Sequence, residues 1–122
     1  MMPSWTDKFR VAFSGLFWAV RDQSSFHVHL SVTAAVLVLA GLLQLPSWQW
    51  AALILAIGLV MTAELLNTAI ELLVAVIHPE HDPRVGRALD VAAAGVLFAS
   101  LTAVAIGVLI LGPAIYTRLF AG

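Results

Sequence analysis

Three long apolar stretches dominate the chain, and short polar clusters punctuate them. Ahead of the first, residues 4–23 follow a different rhythm. Trp5, Phe9, Ala12, Phe13, Leu16, Phe17 and Val20 recur on one helical face, while Asp7, Arg10, Ser14 and Arg21 share another. The pattern predicts an amphipathic helix lying in an interface, and Lys8 and Arg10 argue against a spanning role. Trp18 falls off the apolar face. Ser4, with Asp7 three positions on, has capping-box spacing, although Asp is a weaker partner than Glu or Gln.

Asp22-Gln23-Ser24-Ser25 reads as a polar hinge. Residues 26–44 then run apolar except for His27, His29, Ser31 and Thr33 near their start, and predict a first transmembrane helix. The two histidines stand two positions apart, off a common helix face, so they are expected to meet headgroups or neighbouring backbone rather than a shared metal. Gln44 to Gln49 is a short uncharged turn with Trp48 and Trp50 at the aromatic-belt position, and predicts a tight helical hairpin. A second helix spans 48–77, longer than a bilayer requires. The loop 78–86 follows, broken by Pro79 and Pro83, and a third helix spans 87–117. Gly95, Ala99, Ala103 and Gly107 recur every fourth residue there, a smooth ridge suited to close helix approach.

One polar stripe interrupts the second apolar run. At about 100° per residue, Glu64, Asn67 and Glu71 fall within an arc of roughly 60°. If hydrocarbon begins near Trp50, Glu71 reaches the far interface and Glu64 lies about 9 to 10 Å inside it. Carboxylates at that depth are costly and usually mark a functional site, the structural alternative being a buried pair that fixes helix packing. His78, Glu80, His81 and Asp82 lack a recognised metal spacing and read as a solvated loop that touches a nucleotide.

Composition agrees with the pattern. Of 122 residues, 61% are hydrophobic and 11% charged, and the mean hydropathy is +0.99, which places the chain among small single-domain integral membrane proteins. A net charge of -1 leaves no basic footprint for nucleic acid. Without cysteine there is no disulfide, thiolate metal site or thiol nucleophile. No cleavable signal is expected, because charged residues precede the first long apolar run, and that helix would direct insertion. Lys8, Arg10, Arg21, Arg84 and Arg87 gather on one side and Arg118 on the other, so the amino terminus and the proline loop are expected in the cytoplasm.

These residues carry a resemblance. Glu64-Leu-Leu-Asn67-Thr-Ala-Ile-Glu71, the His-Pro loop and Gly86-Arg87-Ala-Leu-Asp90-Val-Ala-Ala-Ala-Gly95-Val-Leu resemble the prokaryotic diacylglycerol kinase family, which includes undecaprenol kinases. Phe26-His27-Val28-His29 and the first helix match in position, so the likeness covers nearly the whole chain. The resemblance implies an all-α integral membrane homotrimer in the bacterial inner membrane, each protomer having an amino-terminal surface helix and three transmembrane helices. It further implies transfer of the γ-phosphate of Mg-ATP to a lipid hydroxyl. On it, Glu64 is the catalytic base, Asn67 a positioning residue, Glu71 a metal ligand, and Asp90, with Gly86 and Arg87, a nucleotide contact.

The sequence departs from the family pattern at three positions. The second metal-binding glutamate is Gln23, the lysine before Asp90 is Leu89, and the aspartate four residues after Glu71 is Ala75. Losing one cation and two anions keeps local charge nearly balanced. Gln23 retains an amide oxygen for Mg²⁺, Arg87 is positioned to replace the lysine, and Asp22 to replace the glutamate. The substrate reading is undecaprenol or diacylglycerol, with wording closer to the undecaprenol branch. A degenerate member that binds lipid or nucleotide without catalysis is the alternative. A proton-coupled transporter would use Glu64 but leave Asn67, Glu71, Asp90 and the first helix unexplained.

Overall fold

The structure is a computed structural model and describes residues 4–121. Four helices follow one another, α1 (Trp5–Asp22), α2 (Ser24–Leu43), α3 (Ser47–Ile77) and α4 (Pro83–Tyr116), and a π-helical turn over Thr117–Ala121 ends them. The chain is all-helical among the described residues. α2, α3 and α4 are each long and apolar enough to cross a membrane.

Ser4 starts α1 through a reciprocal cap: its hydroxyl accepts from the Asp7 backbone N–H at 3.2 Å, and its own N–H donates to the Asp7 carboxylate at 3.4 Å. Asp7 also pairs with Arg10 at 3.1 Å, and Lys8 stands 4.6 Å from the centre of the Trp5 ring. The broad apolar face of α1 divides. Phe9, Phe13 and Phe17 point away from the rest of the chain, whereas Ala12, Gly15, Leu16 and the buried Ala19 line a cleft against α3. Trp18, the residue off the apolar face, lines that cleft as well.

The hinge is one residue long. Gln23 is extended (φ -104, ψ 118); its N–H closes α1 on the Ala19 carbonyl at 3.0 Å, and its carbonyl accepts from Phe26 at 3.1 Å. Phe26, the fully buried large side chain of the structure, wedges beside this break. α2 then runs 20 residues, about 30 Å at 1.5 Å per residue. Ser31 donates to the His27 carbonyl at 2.8 Å, and Thr102 does the same to Phe98 in α4 at 2.9 Å. Hydroxyls that would otherwise face apolar surroundings are thereby satisfied within their own helices.

Gln44 ends α2 in the left-handed region (φ 54), which turns the chain at once toward Pro46 and α3. Despite that tight turn, α3 pairs far more extensively with α4 than with α2. The loop between α3 and α4 is well tied. Asp82 caps α4, accepting from the Arg84 N–H at 2.8 Å, with Pro83 in the first turn where no N–H is needed. α4 therefore starts before Arg87. Hydrogen bonding from the Arg84 side chain, then from its backbone, holds the Asp82 carboxyl below its ordinary value.

A small apolar core lies where α2 ends, built on Ala40, Leu53 and Ile110 with Val36, Trp50 and Ile106 against it. At the same end Arg118 donates to the Leu42 carbonyl at 3.0 Å, occupying an acceptor that a helix terminus leaves free. Elsewhere large apolar side chains face outward, Val76, Phe98 and Leu109 among them, as hydrocarbon solvent permits. The ridge of small residues on α4 is only partly covered within this chain. Ala99 is buried, yet a Cβ added at Gly95 or Gly107 would meet nothing within 4 Å, so no close helix approach within this chain requires either glycine.

Candidate functional site

The buried polar side chains among the described residues are three, Glu64, Asn67 and Thr68, all from one turn of α3. Their neighbours Leu66 and Ile70 point outward, so helical periodicity alone turns the polar groups inward and the apolar ones out. Asn67 donates from Nδ2 to Glu71 Oε1 at 2.9 Å, one helical turn further on. A carboxylate only accepts, so this contact fixes which way the amide faces. It also leaves Asn67 Oδ1 buried with no hydrogen-bond partner, a cost of about 1–3 kcal/mol for an unmet polar atom. Glu71 is exposed, with Oε2 outside the Asn67 contact.

Glu64 meets a second helix. Its Oε2 lies 3.5 Å from Nε2 of His29 on α2, with 8% of the Glu64 side chain and 25% of the His29 side chain exposed. The sequence reading treats His27 and His29 alike; the fold separates them. His27 is exposed, whereas His29 lies one turn beyond the buried Phe26 and so turns inward with it. That three-residue offset from a large apolar residue is the signal that could have singled out His29. Thr68, also passed over, follows Glu64 by four positions and lines the cleft between α1 and α3.

Two recesses flank this turn. A groove of about 610 Å³ runs among α2, α3 and α4, and has almost wholly apolar walls that include Val32, Val60 and Val104, with His29 among its lining residues. The cleft between α1 and α3 holds about 330 Å³ and reaches Thr68 and Leu72. Aliphatic chains match either surface.

The remaining sequence candidates stand apart. Asp90 and Arg87 are exposed on α4, Gly86 is half-buried with its N–H bonded to the Asp82 carbonyl at 2.9 Å, and Gln23 is half-buried at the hinge. Asp22 faces Arg21 loosely, at 3.7 Å. Among the described residues no hydrogen bond or ion pair joins any of these to Glu64, Asn67 or Glu71, and no three His, Asp or Glu side chains form a metal-holding group. By donor chemistry alone, the carboxylate oxygen of Glu71 and the amide oxygen of Gln23 suit a hard cation.

Comparison with known proteins completes the description. The family described as prokaryotic diacylglycerol kinase matches over residues 10–111. An undecaprenol kinase from Bacillus subtilis (strain 168) is 35% identical over 99 residues, which cover 81% of this chain and 80% of that protein. A diacylglycerol kinase from Synechocystis sp. (strain ATCC 27184 / PCC 6803 / Kazusa) is 37% identical over 112 residues, 91% of this chain and 64% of that protein. No solved structure matches the chain.

Proposed function

The chain belongs to the prokaryotic diacylglycerol kinase family, a family of membrane lipid kinases, and from that premise we propose that it transfers the γ-phosphoryl group of Mg-ATP to the hydroxyl of undecaprenol or diacylglycerol. The observation that carries this reading is the buried Glu64 one turn above the Asn67–Glu71 hydrogen bond, with apolar recesses on both sides. Glu64 takes the hydroxyl proton as the lipid oxygen attacks. The new O–P bond forms, the bond from the γ-phosphorus to the bridging oxygen breaks, and ADP departs with that oxygen.

Asn67 holds Glu71 through Nδ2, and its free Oδ1 offers an acceptor to substrate. Glu71 and Gln23 would hold Mg²⁺, which would supply charge neutralisation at the phosphates. Asp90, Gly86 and Arg87 contact the nucleotide, and the exposed Arg87 guanidinium takes the place of the lysine that Leu89 lacks. No hydrogen bond or ion pair joins these groups to Glu64 within one chain, which supports a site completed between protomers; the homotrimer is what the family resemblance implies.

The reading sets the polar stripe at the cytoplasmic face of the bacterial inner membrane, following the excess of Lys and Arg at that end. It assigns 4–23 to an interfacial helix, with Trp5, Phe9, Phe13 and Phe17 toward lipid, and 26–44, 48–77 and 87–117 to the spans. Purified protein given Mg-ATP labelled at the γ-phosphate and a total bacterial lipid extract is expected to label one lipid class, and Glu71→Gln to abolish it. The loss of family residues at Gln23, Ala75 and Leu89 favours one competing reading, a non-catalytic binding protein. Folded, oligomeric protein that labels no lipid yet still binds nucleotide would establish it.

A further inference from the structure

The ion pairs of the described residues are local in sequence, within one helix or one loop, except one: His29 with Glu64. That contact joins α2 to α3, which otherwise share a limited interface, and it falls on the one buried carboxylate of the described residues. His29 is also the ionisable residue among those lining the groove of about 610 Å³. A carboxylate that is to take a proton from substrate works best with one oxygen held in place and the other free to receive it.

On this geometry, and resting on the lipid-kinase reading above, we propose that His29 is a positioning residue for the base: its Nε2–H holds Glu64 Oε2 and leaves Oε1 to receive the lipid hydroxyl proton. The 3.5 Å separation exceeds an ordinary hydrogen bond, and catalytic contacts of this kind shorten when substrate fills the site. An Nε2–H is present both in imidazolium and in one neutral tautomer, so the device works without a charge on His29. The groove beside it brings an aliphatic tail to the same point, so the imidazole stands where apolar substrate and buried carboxylate meet.

The test uses steady-state transfer of labelled γ-phosphate from Mg-ATP to undecaprenol and to diacylglycerol in mixed micelles. Gln places an amide NH₂ where Nε2 lies, whereas Asn places it at the Nδ1 position. His29→Gln is expected to keep kcat within about 3-fold, and His29→Asn and His29→Leu to lower it about 10- to 100-fold with the KM for Mg-ATP unchanged. In a Glu64→Gln background His29→Leu is expected to add no further loss, as for residues that act as one unit. His27→Leu, at the exposed neighbour, serves as the control and is expected to match the wild type. Wild-type kcat in both His29→Leu and His29→Asn, equal losses in His29→Gln and His29→Asn, or independent losses in the Glu64→Gln background would each overturn the assignment. Wild-type protein that labels neither lipid would remove the kinase reading itself. Active wild type with indifferent His29 variants would remove only the role given to His29.

Discussion

The two ends of the helical bundle solve opposite problems. Where α2 finishes, Ala40, Leu53 and Ile110 close over one another, and Arg118 spends its guanidinium on the Leu42 carbonyl. Where α3 approaches the proline loop, a carboxylate and an amide are buried together, and one amide oxygen is left without a partner. At the first end a small apolar cluster is closed and a helix-terminal carbonyl is met. The second retains an unmet polar atom and a buried acid, and such departures gather where a protein binds or reacts. The apolar cluster lies toward one end of α3 and the candidate chemistry toward the other.

Substitutions at the two ends should therefore separate two properties. The largest effect is expected from Glu64→Gln, which lowers lipid phosphorylation by about 100-fold or more while the melting temperature in micelles holds or rises, since a membrane-buried charge has been removed. Undiminished turnover would show that the polar end is structural like its opposite. At the apolar end Ile110→Ala should do the reverse, with a loss of about 2 kcal/mol or more in denaturant unfolding and full activity per folded molecule.

The Asp82 cap offers a pH-dependent comparison. Its folded pKa lies below the ordinary 3.8, so the cap contributes stability above that value and loses it as pH falls through the lower folded pKa. Asp82→Asn should remove this acid-side loss from the melting curve. A curve unchanged below pH 4 would mean that Arg84 does not hold the carboxylate in solution. The smallest effect is expected from Gly95→Ala, a gain of about 1 kcal/mol or less in the isolated chain, because the space beside it is open and Ala is the better helix former. Crosslinking of membranes would show a change in oligomer only if a second copy packs there.

Helical periodicity was enough to place Glu64, Asn67 and Glu71 on one face, because three positions within two turns are fixed by the helix itself. The Ser4 and Asp7 cap was readable for the same reason: its partners are three residues apart. Features that depend on how helices rotate against one another were not readable. His29 and Glu64 lie on different helices, and only the seating of Phe26 decides that His29 turns inward. The repeat of small residues on α4 reads as a packing ridge, and Ala99 is buried while Ala103 and Gly107 line the groove, but a spacing of four cannot say which helix meets it. The start of α4 is present in the residues, since Asp82 before Pro83 has the order of a cap and a first turn, but two prolines within five residues suit a loop equally well.

The break at Gln23 has a mechanical meaning. Two helices joined through one extended residue have little more than a single φ,ψ pair between them, and Phe26 pins the far side of the joint. Any swing of α1 relative to α2 must turn that pair, and the Gln23 side chain turns with it. The direction in which the aromatic row of α1 faces and the direction in which the Gln23 amide points thus form one coordinate, set by the angle of a single joint.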